Sequence, residues 1–431
     1  MSGGSRILAR RPVGWADPLS VATGLRHRGG ALALISGGAD AGRSWIGAEP
    51  GRMETVADFG ALNAAGWGAG TVGLASYDFG AAPATGARAA DWPDLILARY
   101  DALLCFDHRA GRVLALGWAE DAAGAARQAD RAAGWLTAAS DPPPSPPPSP
   151  DFPAEAPAET YRAAVADVVH RIGRGDLFQA NIARAWSGRL RPGADPFDVF
   201  LRLSQARGAA YGAFWRIGGR ALVSNSPELF LTLDAGGRIE ARPIKGTRPR
   251  GADPSEDAAL AAELQASGKD RAENLMIVDL MRNDIAQVAE PGSVAVERLF
   301  ALQTLPTVHH LVSTVTGRAR PGVGPADVMA AAFPPGSITG APKHQAMKVI
   351  ADHEAPRGPW CGSLFMLDET GGLTASVLIR TADFTRDDGG WRWRTLAGAG
   401  ITADSDPAAE LAETDAKISA LRHALAGDQG V

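Results

Sequence analysis

Residues 219–247 read GRALVSNSPELFLTLDAGGRIEARPIKGT. Short apolar runs broken by Ser-Asn-Ser-Pro and by Gly236-Gly237 predict antiparallel strands, with the glycine pair as a turn. Further on, KDRAENLMIVDLMRNDIAQV (269–288) and DPAAELAETDAKISALRHAL (406–425) carry helical periodicity. The C-terminal two thirds therefore alternate strands and helices, and no internal repeat is visible.

Upstream, DPPPSPPPSPDFP (141–153) excludes helix and central strand and favours an extended polyproline segment. An Ala/Arg-rich helical pattern ends near Trp135, and helix resumes around Tyr161. The stretch reads equally as a linker between two domains or as a surface loop of one interleaved fold, so the chain divides into residues 1–140, a proline-rich linker or loop at 141–154, and a main region at 155–431.

With 431 residues, 45% hydrophobic and 21% charged, the chain has enough apolar content for a large core. A net charge of -5 gives no global attraction for nucleic acid or anionic membrane, so an anionic ligand needs a local cluster of donors. Only Cys105 and Cys361 are present, too few for a disulfide framework or a thiolate metal site, which points to a cytoplasmic protein. The residues after Arg10 and Arg11 are broken by proline and aspartate, so neither an export signal nor a membrane span of about twenty apolar residues is expected.

Asp270 and Glu273 share one face of the first predicted helix, and Glu410 and Glu413 repeat that spacing on the second, with Lys417 one turn on. Such pairs are either solvated helix faces or, if the helices face each other, ligands of a hard dication that would recruit a substrate carboxylate. AAFPPGSITGAPKHQAMKVI (331–350) runs a Gly/Ser/Thr/Pro loop into a helix without Walker A spacing. LAGAGITADSDP (396–407) ends a strand in small residues that allow close backbone approach, and Arg380 follows the apolar run SVLI, where a guanidinium could fork a carboxylate.

PIKGTRPRG (243–251), ENLMIVDLMRNDIA (273–286), GSITGAPKHQAM (336–347), RGPWCGSLFMLD (357–368) and AGAGITADSDPAAELAETDAKI (397–418) occur in the order found in chorismate-utilising enzymes, and the chain resembles that family densely over about 155–425. The family includes anthranilate, aminodeoxychorismate, isochorismate and salicylate synthases. The resemblance implies a large α+β sandwich of orthogonal antiparallel sheets flanked by helices, with residues 1–140 interleaved into the main fold and 155–431 as the chorismate-binding catalytic region. It implies Mg2+ held by Glu273 and Glu413, with Asp270 and Glu410 in support. Arg380, Lys417 and the backbone at Ala399 and Gly400 resemble holders of the chorismate carboxylates, and His310 and Thr339 resemble residues lining the ring site. Trp360 stands where many relatives have a tyrosine that grips the enolpyruvyl carboxylate. ALALISGGADAGRSWIGAEP (31–50) matches the family's early strand pair more loosely, with Ser36 at the serine of an effector motif whose flanks differ here.

Two segments bear on the branch, and a third position on the chemistry. GDLFQANIARAW (175–186) has Gln179 where water-adding relatives carry a lysine base, and its FQAN resembles the aminodeoxychorismate branch. PIKGT puts Lys245 where anthranilate synthases read PIAGT. Glu228, in NSPELF, matches the family's general acid/base. The resemblance therefore implies amination of chorismate at carbon 4, giving 4-amino-4-deoxychorismate for p-aminobenzoate and folate synthesis, with Lys245 as nucleophile. No cysteine-histidine constellation of a glutaminase is evident, so a glutamine amidotransferase subunit (component II) is the expected ammonia source. The alternatives are anthranilate synthase component I and a non-catalytic chorismate-binding regulatory subunit.

Overall fold

The computed structural model describes residues 6–38, 41–141, 146–305 and 308–427. Residues 142–145 of the proline-rich stretch lie outside it.

The strands predicted over 219–247 form as Arg220–Ser226, Leu229–Leu233, Arg238–Ala241 and Ile244–Pro249, but they do not make one meander. Arg220–Ser226 belongs to an 11-stranded sheet and the other three to a 10-stranded sheet. Leu229–Leu233 and Arg238–Ala241 form the expected hairpin, with Gly237 at φ +81° supplying the left-handed turn residue. Ile244–Pro249 pairs instead with Val308–Arg318, with a register shift between Ile244 and Thr247.

Every described strand pairing is antiparallel, and the fold is α+β. The first sheet joins early and late sequence: Leu32–Ile35 pairs with Tyr211–Ile217, and Gly390–Ile401 with Gln179–Arg189. The second does the same, Thr71–Ala75 pairing with Ser363–Leu367. Leu32, Trp45 and Trp215 of the first sheet pack with Val72, Leu74 and Leu364 of the second in one buried cluster. The later part of the proline-rich stretch is tied down too, since Ser149 is fully buried, its N–H donating to the Leu425 carbonyl and its hydroxyl accepting from the Trp393 indole.

The two predicted helices form as Gly268–Ala286, on the second sheet, and Pro407–Ala426, on the first. Ile277, Val278, Met281 and Ile285 form the inward stripe of the former, each buried aliphatic side chain contributing about 1.5–3 kcal/mol. Ser267 caps that helix and Asp406 the other. Asp270 and Glu410 fall in the first turns, where the helix dipole favours a carboxylate. Among the described residues no helix is long and apolar enough to cross a membrane.

Candidate active site

A cavity of about 670 Å³ lies where Gln179–Arg189 and Gly390–Ile401 of the first sheet meet Ile244–Pro249 of the second, beneath the N-terminal half of Gly268–Ala286 and the middle of Pro407–Ala426. Two corners, where the chain crosses from one sheet to the other, deliver chemistry to it. At Pro227-Glu228 the chain leaves Arg220–Ser226 for Leu229–Leu233. At Leu378–Arg380 it leaves Leu373–Val377 for Thr381–Asp387. The corners are tied together, Val377 N–H donating to the Glu228 carbonyl (3.1 Å) and Asn225 N–H to the Arg380 carbonyl (3.0 Å). A corner interrupts the pleat, so its side chain turns into the gap between sheets instead of alternating along a face.

Glu228 is 5% exposed. Burial pushes its carboxyl up to about 7, against a Ser337 hydroxyl bond, the Lys245 charge and the Ile244 N–H, which pull it down. Arg380 adopts φ +52°, a strained conformation for a non-glycine residue and a recurrent mark of functional sites. Burial lowers its guanidinium pKa, and Glu228 opposes that. Among the described residues it has no ion pair, so it can take an anion from a ligand.

Lys245 projects from the first residues of Ile244–Pro249 into the same cavity. Burial lowers its amine pKa and the Lys417 charge adds to that, while Glu273, Glu228 and Glu413 raise it. The direction favours a neutral amine, the form a nucleophile needs. Gly400 explains how the amine fits: a Cβ there would lie 3.1 Å from Lys245 Nζ and 2.4 Å from Gln179 Nε2. Gly400→Ala is expected to lower turnover at least about tenfold by displacing the lysine, with little change in melting temperature, because the clash is with side-chain ends. Steady-state kinetics beside a thermal melt checks this, and unchanged turnover would show that Lys245 needs no such fit.

The four carboxylates converge unequally. Glu273 has no ion pair among the described residues, and its pKa is raised by burial first, with Asp270 and Glu413 adding to it against Lys245 and Lys269. Asp270 is 3.2 Å from Arg248, Glu410 accepts from Ser405 (2.7 Å) with Lys269 at 3.7 Å, and Glu413 pairs with Lys417 at 2.6 Å. No three acidic, imidazole or thiol groups among the described residues form a ready cage. One unpaired carboxylate with like charges beside it fits a hard dication held by one or two protein oxygens, substrate and water.

The remaining predicted residues divide. His310 lines the cavity, its Nδ1 2.9 Å from Thr247 Oγ1, and burial followed by the Arg380 charge lowers its pKa to about 4, so it is neutral at pH 7. Trp360 also lines it, and its buried Nε1 has no partner among the described residues. Gly400 and Lys417 reach the wall, Lys417 also donating to the Gly398 carbonyl (2.9 Å). Thr339 and Ala399 do not. The Thr339 hydroxyl turns back to the carbonyls of Pro335 and Gly336 in the short turn Gly336–Ile338, and the wholly buried Ala399 side chain joins the core. That turn presents Ser337 and Ile338 instead. Reading along the sequence missed Ser337, Asn181, Arg248 and Lys269; all four lie inside the stretches singled out above, but nothing local says which residue of a turn, strand or helix faces inward.

Fold and cavity together define an enzyme of the two-sheet α+β class whose site pairs a buried acid and a buried amine with an unpaired guanidinium. The sequence pattern of chorismate binding enzymes matches residues 39–423, and the chain belongs to that family. Aminodeoxychorismate synthase component 1 of Klebsiella aerogenes is 40% identical over 364 residues, 83% of this chain and 77% of that one. Anthranilate synthase component 1 of Aeropyrum pernix is 41% identical over 286 residues, 64% of this chain and 63% of its own. Anthranilate synthase component I from Streptococcus pneumoniae superposes with a TM-score of 0.76 at 24% identity, over 90% of this chain and 94% of that structure, and shares the fold.

Proposed function

We propose that the chain is the aminating component of an aminodeoxychorismate synthase, converting chorismate and ammonia to 4-amino-4-deoxychorismate. The carrying observation is Lys245, an amine held toward its neutral form in one cavity with a carboxyl poised near 7. Identity to component 1 of aminodeoxychorismate synthases over most of the chain supports the same reading.

Arg380, without an ion pair among the described residues, takes one substrate carboxylate. Lys417, by exchanging Glu413, and the backbone beside Gly400 serve the other. His310, neutral, and Trp360, with its unmatched N–H, close round the ring. Lys245 forms a bond to ring carbon 2, the double bond shifts, and the carbon 4–oxygen bond breaks as Glu228 gives the leaving hydroxyl its proton, releasing water. Ammonia then bonds to carbon 4, the shift reverses, Lys245 leaves as a neutral amine, and Glu228 carboxylate recovers the surplus proton. Glu273 and Glu413, supported by Asp270 and Glu410, would hold Mg2+, which when bound neutralises a substrate carboxylate. Ammonia comes from a glutamine amidotransferase subunit, in keeping with the component 1 designation of the relatives.

The purified chain with chorismate, Mg2+ and an ammonium salt is expected to yield 4-amino-4-deoxychorismate by mass spectrometry, and chelation should abolish turnover. Anthranilate would place the chain with the other aminating branch, and no product under any condition would favour a binding subunit.

A further inference from the structure

Arg357 is 0% exposed, and a cavity borders the segment 357–360 on each side: Trp360 lines the active-site cavity, while Arg357, Gly358 and Pro359 line a second one of about 540 Å³. The segment is buried, with Trp360 and Cys361 in the core and the Tyr77 ring 4.5 Å from the Arg357 guanidinium, and hydrogen bonds fix it further. Arg357 Nε and Nη2 donate to the two oxygens of Glu354 (2.8 and 2.9 Å), Nη2 also to the Asn181 carbonyl (2.6 Å), and Nη1 to the Ile338 carbonyl (3.1 Å). Its guanidinium lies 5.1 Å from the Trp360 ring centroid. Glu354 extends the strut, accepting from Ala183 N–H at 2.8 Å.

Asn181, Ile338 and Trp360 all line the cavity, and Ile338 follows Ser337, which bonds Glu228. One buried cation thus ties the strand, the turn and the indole that form one side of the site. Burying a charge is costly, and an ion pair in itself is weak evidence for stability; what this pair adds is bonds to the Asn181 and Ile338 carbonyls and the Ala183 N–H. We propose that Arg357, locked by Glu354, is a positioning residue: it touches no reacting atom and sets the spacing of Asn181, the Ser337-Ile338 turn and Trp360 at which the ring is held for reaction. The inference rests on the reading of this cavity as the amination site.

The decisive variant is Arg357→Met with Glu354→Leu, which removes both charges together and leaves no unpaired buried ion, while the Asn181 and Ile338 carbonyls and the Ala183 N–H each lose one partner. The expected result is a folded protein with a lower melting temperature, because three buried backbone groups lose a partner, kcat lower by about tenfold or more, and KM within about threefold. The alkaline limb of the pH–rate profile should move upward, because a displaced Ser337 no longer stabilises the Glu228 carboxylate. A folded double variant turning over within about twofold of the parent, or losing only chorismate affinity, would overturn the proposal. Glu354→Gln, which keeps the volume and one acceptor, is read by the same criteria if the double variant fails to fold. Failure of the functional reading itself would show separately, as a different product from the parent protein, and the comparison of kcat would then be made on that product.

Discussion

A Lys245→Ala variant should lose amination at carbon 4 by about 10³-fold or more, a barrier increase of about 4 kcal/mol. The variant removes the amine that bonds to carbon 2, and no neighbour replaces it: Lys417 is 2.6 Å from Glu413 and Lys269 3.7 Å from Glu410. The groups proposed to hold chorismate stay, so KM should change far less than kcat. The space vacated beside Gly400 opens carbon 2 to ammonia, so residual turnover should run toward anthranilate. Product analysis by mass spectrometry with single-turnover kinetics checks the split. A variant that still makes 4-amino-4-deoxychorismate within about tenfold of the parent rate would remove covalent catalysis by this lysine.

Glu228→Gln comes next, with an expected loss in kcat of about 10²–10⁴-fold. The amide keeps the shape and can still bond Ser337 and the Ile244 N–H, but it cannot give a proton to the leaving hydroxyl. Because burial places the acid at about 7, the parent's rate should fall as pH rises through that value, and the variant should lack this limb. The same shift predicts the stability profile. The folded pKa lies above the ordinary carboxylate value of 4.5, so Glu228 stabilises the fold fully below about 4.5 and loses that contribution as pH rises through about 7. Above pH 7 the glutamine variant should melt at least as high as the parent. A parent profile with no limb near neutrality, or a variant that retains it, would assign the proton transfer to another group.

The strands of 219–247 and the helices at 269–288 and 406–425 were legible because their signals are local: turn glycines, periodic apolar residues, and a proline opening the second helix. The cavity-facing positions of Glu228, Lys245, Glu273, Arg380, Glu413 and Lys417 were legible only because ordered motifs matched a family, since a lone lysine on a strand or acid on a helix reads as solvent-facing. Thr339 was read as part of the ring site, but the turn after Pro335 directs its hydroxyl to backbone and offers Ser337 instead.

The sequence by itself determined the elements, the order of the motifs, the absence of a disulfide framework, and the lysine within PIKGT. Tertiary structure alone decided that Arg220–Ser226 and Leu229–Leu233 lie in different sheets, so that Glu228 and Arg380 meet at adjacent corners. It also decided that Asp270 and Glu410 face the cations Arg248 and Lys269 while Glu273 has none among the described residues, and that Arg357 braces the wall from behind. The physical reason is range: periodicity and turn chemistry act over a few residues, whereas burial and its pKa shifts depend on chain segments more than 100 residues apart in sequence, such as Asn225 with Arg380.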